Sequence, residues 1–176
     1  MTNNKKIKDY IDSLVDECPD DAKWNTELKN LPKCGLKGLL HYKLACATKK
    51  NLNVLITVSP DTAPVIKGLS LEDIKQLSRL VGIYMDNAME AALDTEKKNV
   101  ALEIYKIKDT VNIVISNSAN IDESKVKMIG KEGFTSKGKG HGRGTYLAKK
   151  MLLHNKKFSA SNSVVKDYYI VRIIIN

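Results

Sequence analysis

Two runs of β-branched and aliphatic residues, VALEIYKI and TVNIVISN, stand either side of a single Lys-Asp pair at about residues 99 to 117. A link that short joins antiparallel neighbours, because a parallel pair needs a crossover of a dozen residues or more. The chain is therefore committed to a sheet containing at least one hairpin. The flanking segments narrow the choice. Ser70, three residues before Asp73, resembles a capping box with Asp in place of the usual Glu or Gln, and it opens a long apolar-periodic segment that predicts a helix to about Leu93. Leu36, Leu39, Leu40, Lys43, Leu44 and Ala47 predict a second helix from Leu36 to about Lys50, followed by a strand in LNVLITV at 52 to 58. SPDTAPVIKGL reads as a polar loop and residues 22 to 35 as connection. Residues 4 to 17 repeat apolar positions at helical spacing, residues 122 to 130 form a weak helix, and another helix runs from about Gly144 to Leu153. KKFSAS and DYYIVRIIIN close the chain as strands joined by SNSVVK. Helices first and strands mixed with helices afterwards predict an α/β (α+β) two-layer sandwich. Its sheet is mixed and largely antiparallel, covered on one face by helices.

The length of 176 residues suits one ordinary domain with a short appendage. No apolar run is long enough to span a bilayer, and the amphipathic N-terminus lacks the apolar centre of a signal peptide, so a cytoplasmic domain is expected. Cys18, Cys34 and Cys46 have no metal-ligand spacing and read as reduced thiols. The net charge of +9 invites a nucleic-acid partner. The lysines are scattered, however, and aromatic residues are not interleaved with them as single-strand binders require, so no nucleic acid is expected and a solvated surface is the simpler reading.

The stretch GKEGFTSKGKGHGRGTYLAKKM, residues 130 to 151, concentrates glycine and basic residues ahead of a helix. GFTSKGKG nearly satisfies GxxxxGK[ST], but Gly140 stands where a hydroxyl is required; GxGxxG fails because Thr145 stands where its last glycine belongs. GKGHGRGT can instead wrap an anion. Gly138, Gly140, Gly142 and Gly144 free the backbone, the following helix offers unsatisfied N–H groups, and Lys137, Lys139, His141 and Arg143 supply charge. Alone, the stretch is equally a basic surface loop.

Upstream, LVGIYMDNAMEAAL places Ile83, Asn87, Glu90 and Asp94 on one helical stripe within an otherwise apolar segment. DNAMEA resembles the N-box of the GHKL ATPase superfamily (gyrase, Hsp90, histidine kinases, MutL), and GFTSKGKGHGRGTYLAKK resembles its F-box joined to its G2 box. The order GLLHYKLACATKKNLNVLITV, GIYMDNAMEAA, VISNS, FTSKGKGHGRGTYL is similar to sensor kinases for peptide pheromones (quorum sensing) of the AgrC and VirS type, over roughly residues 36 to 176. The resemblance implies a Bergerat fold and the ATP-binding catalytic domain of a two-component histidine kinase. Residues 34–176 would be that domain, and residues 1–33 a helical stub and linker from the dimerisation and phosphoacceptor region.

The resemblance also assigns roles. Asn87 holds Mg²⁺ and through it the triphosphate, and Asn117 takes the place of the adenine-reading Asp of the DxGxG box. Phe134 anchors an ATP lid, and Lys137 places a cation on the phosphates. Gly138, Gly140, His141, Gly142, Arg143, Gly144 and Thr145 surround them. Asn87 and Lys137 are the catalytic candidates, and the reaction is transfer of the ATP γ-phosphoryl to a histidine outside this chain. His41, His141 and His154 lack the acidic follower of a phosphoacceptor; His41 reads as a helix-surface residue. Expected partners are ATP, the acceptor-histidine helices of the same kinase and a response regulator, in a membrane-anchored homodimer. Departures at Ile83, Glu90, Asn117 and Ser118 motivate an alternative reading: a nucleotide-binding regulatory domain that transfers no phosphate.

Overall fold

The structure is a computed structural model that describes residues 23–120 and 143–176. The helices read from residues 4 to 17 and 122 to 130 lie outside the described residues, as do Phe134, Lys137, Gly138, Gly140, His141 and Gly142. Helix α1 (Lys23–Leu28) is followed by α2 (Gly35–Lys49), β1 (Asn53–Val58), a 3-10 turn (Pro60–Thr62), α3 (Ala63–Lys67) and α4 (Leu71–Leu93). Then come β2 (Asn99–Ile107), β3 (Thr110–Ser118), α5 (Arg143–His154), β4 (Phe158–Val165) and β5 (Tyr168–Ile175). The five strands form one sheet in the order β1-β2-β3-β5-β4. β1 runs parallel to β2 and every other pairing is antiparallel. This is the mixed, largely antiparallel sheet that the sequence predicts, with helices on one face.

Alternation decides which face. Val54, Ile56 and Val58 on β1 face the helices, as do Val100, Leu102 and Ile104 on β2; in register with them stand Ile113 and Ile115 on β3 and Ile173 and Val171 on β5. Most of these are buried, whereas Leu55 on the opposite face is 64% exposed. A one-residue slip would move the whole apolar set to the wet side, so this pattern fixes the register. The β2–β3 hairpin turns on Lys108 and Asp109, the link expected from sequence, and Lys108 sits at φ 52. The β4–β5 hairpin repeats the device with Lys166 at φ 54 and Asp167. SNSVVK is therefore not the connection expected. Its first five residues continue β4, because the cross-strand pairs to β5 run on to Val165 opposite Tyr168.

Above the sheet lie α4 and α2. Leu77, Leu80, Val81, Met85, Ala88 and Ala92 recur at helical spacing on the buried side of α4. Leu36, Leu40, Leu44 and Ala47 do the same on α2. Lys43 of α2 reaches Asp86 of α4 at 2.5 Å and ties the two helices one residue before Asn87.

Residues 22 to 35 are more than connection. Trp24, Leu28 and Leu31 are buried in the same core as α2 and α4. Glu27 accepts from the Val58 backbone N–H at 2.8 Å, and Asn30 donates to the Val58 carbonyl at 2.8 Å, closing the outer edge of β1. A helix of six residues is too short to show a period, which is why sequence reading passes over it. His41 packs edge-on against Trp24 at 5.7 Å and is half-buried, so it is not the surface residue expected; burial and the neighbouring Lys37 pull its pKa down. The polar loop after β1 contains the 3-10 turn and α3, with the Thr62 hydroxyl donating to the Ser59 carbonyl at 2.7 Å.

Candidate functional site

Helix α4 begins where sequence places it, and the reason is visible. The Asp73 N–H donates to the Ser70 hydroxyl oxygen at 3.1 Å, and that hydroxyl donates to the Asp73 carboxylate at 2.6 Å. The start is thus an N-cap closed by a side-chain pair rather than a reciprocal capping box. Lys157 and Asn155, from the segment before β4, also bond Asp73 at 2.6 and 3.1 Å. These partners, Lys157 first, hold the Asp73 carboxyl well below the usual carboxylate range.

Fourteen residues along the same helix the situation reverses. Among the described residues Asn87 Nδ2 is buried and has no hydrogen-bond partner. Buried polar groups are almost always paired, so such an atom signals a site built for something beyond the fold. Asn87 lies one turn beyond Ile83, and Ile83 is where α5 arrives: a Cβ on Gly144 would stand 3.2 Å from Ile83 Cγ2. Glycine at 144 is thus what lets the N-terminal turn of α5 come close to α4. That turn carries N–H groups that the helix itself cannot satisfy. The structure thereby sets the helix start at Arg143, Gly144 and Thr145 against α4 at Ile83, one turn before Asn87 and more than fifty residues away in sequence. Further along the stripe, Glu90 and Asp94 are exposed.

Asn117 enters from the sheet. It is 2% exposed, on the helix-facing side of β3, directly opposite Tyr169 of β5. Its Nδ2 donates to the Ser118 carbonyl at 2.9 Å. Ser118 points to the other face, where its hydroxyl lies 2.7 Å from Thr95 Oγ1 and accepts from the Asn99 N–H at 3.0 Å. Two residues that sequence reading did not single out complete the patch. Tyr84, one turn before Asn87, and Tyr169 are close enough that the charge of one would raise the pKa of the other. Burial pushes the Tyr84 phenol up. Burial first, then Tyr84, push Tyr169 up to about 12, against a hydrogen bond to Asn162 that lowers it. Both phenols are neutral at physiological pH. The i, i+3 spacing of Tyr84 and Asn87 was readable on a helical wheel; the Tyr169–Asn117 pairing required the register of β5.

His154 lies at the exposed C-terminal end of α5, its Nδ1 2.7 Å from the Lys150 carbonyl oxygen. Among the described residues no group of three or more His, Cys, Asp or Glu side chains gathers to hold a metal ion. None of the described helices is long and apolar enough to cross a membrane.

Residues 72–173 match the family of histidine kinase-, DNA gyrase B-, and HSP90-like ATPases, which is more than half of the chain. The chain belongs to this family. The match takes in α4, β2, β3, α5 and β4, and so includes Asn87, Asn117 and the start of α5. Solved structures agree on the fold of this family member. The catalytic domain of histidine kinase ThkA, nucleotide free, superposes with a TM-score of 0.62 at 15% identity, over 80% of this chain and 88% of that domain. The mycobacterial sensor histidine kinase MprB gives 0.59 at 17% identity, over 78% of this chain and 91% of that one. Full-length ShkA in complex with AMPPNP gives 0.61 at 13% identity, over 80% of this chain but 28% of ShkA. At such identities the likeness is one of fold. No curated protein sequence matches the chain.

Proposed function

We propose that this chain is the ATP-binding catalytic domain of a two-component sensor histidine kinase. In this reading it binds ATP with Mg²⁺ and transfers the γ-phosphoryl to a histidine on helices outside the chain. The observation that carries it is the buried amide nitrogen of Asn87, unpaired among the described residues and one turn from the residue that the glycine-permitted start of α5 meets; an N–H donor so placed suits a phosphate oxygen. The oxygen of the same amide, a neutral ligand, suits a hard cation that keeps waters and substrate phosphates as its other ligands. Bound there, Mg²⁺ would neutralise charge developing on the transferred group. Asn87 orients the triphosphate, the N–H groups of Gly140 to Gly144 bind its oxygens, and Lys137, Arg143 and His141 add positive charge. Gly138, Gly142 and Thr145 shape the wrap, Phe134 anchors the lid, and Asn117 accepts from the adenine amine. Ile83 is covered by Gly144 and carries no base, so activation of water is not served at that position and transfer to a partner is the better use of the site.

The finer expectations belong to the same proposal: peptide-pheromone sensing of the AgrC and VirS type, residues 1–33 as a helical stub and linker and 34–176 as the catalytic domain, a response regulator downstream, and a membrane-anchored homodimer whose catalytic domain is cytoplasmic. Calorimetric titration with ATP and Mg²⁺ tests binding, and no heat at millimolar nucleotide rejects it. Mixing the chain with a separate acceptor-helix fragment and labelled ATP tests transfer. Binding without acid-labile label on histidine would select the regulatory alternative.

A further inference from the structure

The Asn117 amide faces a choice that an aspartate would not. Turned one way it offers a ligand an oxygen, which accepts; turned the other it offers an NH₂, which donates. The 6-amino group of adenine needs an acceptor, whereas a 6-oxo purine needs a donor. The structure shows what fixes the choice. Asn117 Nδ2 donates to the Ser118 carbonyl at 2.9 Å, so the polar atom left for a ligand is Oδ1. Turning the amide over would lose that bond and set two acceptor oxygens against each other.

The lock works only if the Ser118 carbonyl cannot move, and both ends of its peptide group are held. The Ala119 N–H, in the same plane, donates to the Asp167 carbonyl at 2.9 Å. On the other side the Ser118 hydroxyl accepts from the Asn99 N–H at 3.0 Å and lies 2.7 Å from Thr95 Oγ1. Thr95 Oγ1 donates to the Ala92 carbonyl at 2.8 Å and accepts from the Lys98 N–H at 3.1 Å. Its one proton is therefore committed, and in the Ser118–Thr95 pair the serine donates, the Asn99 carbonyl that could also take the serine proton lying farther off at 3.5 Å. The end of α4 is thus bolted to the end of β3 through two hydroxyls.

We propose that Thr95 and Ser118 are positioning residues for base selectivity: through the Ser118 carbonyl they hold Asn117 as an obligatory acceptor, so that the site takes 6-aminopurine and rejects 6-oxopurine nucleotides. This rests on the reading of Asn117 as the base-contacting residue. The probes are ATP and inosine triphosphate, which differ at the purine 6-position and N1, with affinities measured by calorimetry in the presence of Mg²⁺. The wild-type chain should bind ATP roughly tenfold more tightly than inosine triphosphate, about the effect of one buried hydrogen bond made or lost. Ser118→Ala should bring that ratio close to one, Thr95→Val should lower it, and Thr95→Ser should restore it. In an Asn117→Asp background, where either rotamer presents an acceptor, Ser118→Ala should leave the ratio within about twofold. A general weakening of the fold lowers both affinities together and leaves the ratio alone, and the Thr95 variants decide the matter if Ser118→Ala fails to fold. A ratio unchanged by Ser118→Ala and by Thr95→Val overturns the lock alone, as does an equal loss in the Asn117→Asp background. No binding of either nucleotide overturns the reading of the site and the lock with it.

Discussion

The first turn of α4 and the turns around Asn87 belong to one helix and obey opposite rules. At Ser70 and Asp73 every polar group drawn into the fold finds a partner: Ser70, Lys157 and Asn155 all bond the one carboxylate, which is 6% exposed. Around Asn87 the helix carries an amide nitrogen that is buried and, among the described residues, unpaired, beside a phenol on Tyr84 and a glycine contact at Ile83. Satisfied polar groups lock a structure; unsatisfied ones await a ligand. The same helix is therefore a fastener at its start and carries the candidate site near its end, and the two are separated by three turns of ordinary core.

Four experiments would break or sharpen that contrast. The largest effect is expected from Asn87→Ala. It should weaken Mg²⁺-dependent ATP binding at least tenfold by calorimetry. Because no bond within the described fold is lost, unfolding free energy should stay within about 0.5 kcal/mol of the wild type. Asp73→Asn should behave in the reverse manner, with a clear fall in melting temperature at neutral pH and unchanged nucleotide affinity. Its pH dependence has a definite sign. A carboxylate held below its ordinary range contributes stability that is fully present above about pH 4, the unfolded value, and is lost as the pH falls further. The wild-type and Asp73→Asn melting curves should accordingly draw together in acid, and a gap that persists at low pH would contradict the assignment.

Ser70→Ala removes the cap alone and should cost about 1 kcal/mol by denaturant unfolding, again with no change in nucleotide binding. The smallest effect is expected at Gly144→Ala. The new methyl meets Ile83 Cγ2 at 3.2 Å, a gap that a shift of a few tenths of an ångström relieves. ATP affinity should drop a few-fold as the start of α5 moves off α4, and Ile83→Ala in the same chain, which removes Cγ2, should recover part of it. Additive losses in the double variant would show that the contact does not place the helix.

Much of this was legible beforehand, for reasons that differ by element. The β2–β3 hairpin and α2 and α4 announce themselves because their apolar residues recur over enough residues to establish a period, and Ser70 marks the start of α4 in its own side chain. Helix α1 did not, since six residues hold less than two turns and its helical state depends on Trp24, Leu28 and Leu31 finding α2 and the sheet. The end of β4 was misplaced because SNSVV is polar and exposed enough to imitate a loop, and only its pairing with Tyr168–Ile175 makes it a strand. Within the site, Asn87 and Asn117 carried a signal through their motifs. Tyr169 did not, because its meaning comes from the residue across the sheet.

The sequence by itself determined the kinds of element, the apolar face of each long one, the family resemblance, and the chemical types that the candidate site offers. These are properties of spacing along a chain. What only the tertiary structure decided is which polar atoms are left without a partner and which way an amide must turn. Asn87 and Asn117 are the same residue type in comparable motifs, yet among the described residues one has an orphaned nitrogen and the other a nitrogen fastened to Ser118. Hydrogen bonding is settled by distance and direction in space between segments far apart in sequence. No reading along the chain can supply those two quantities.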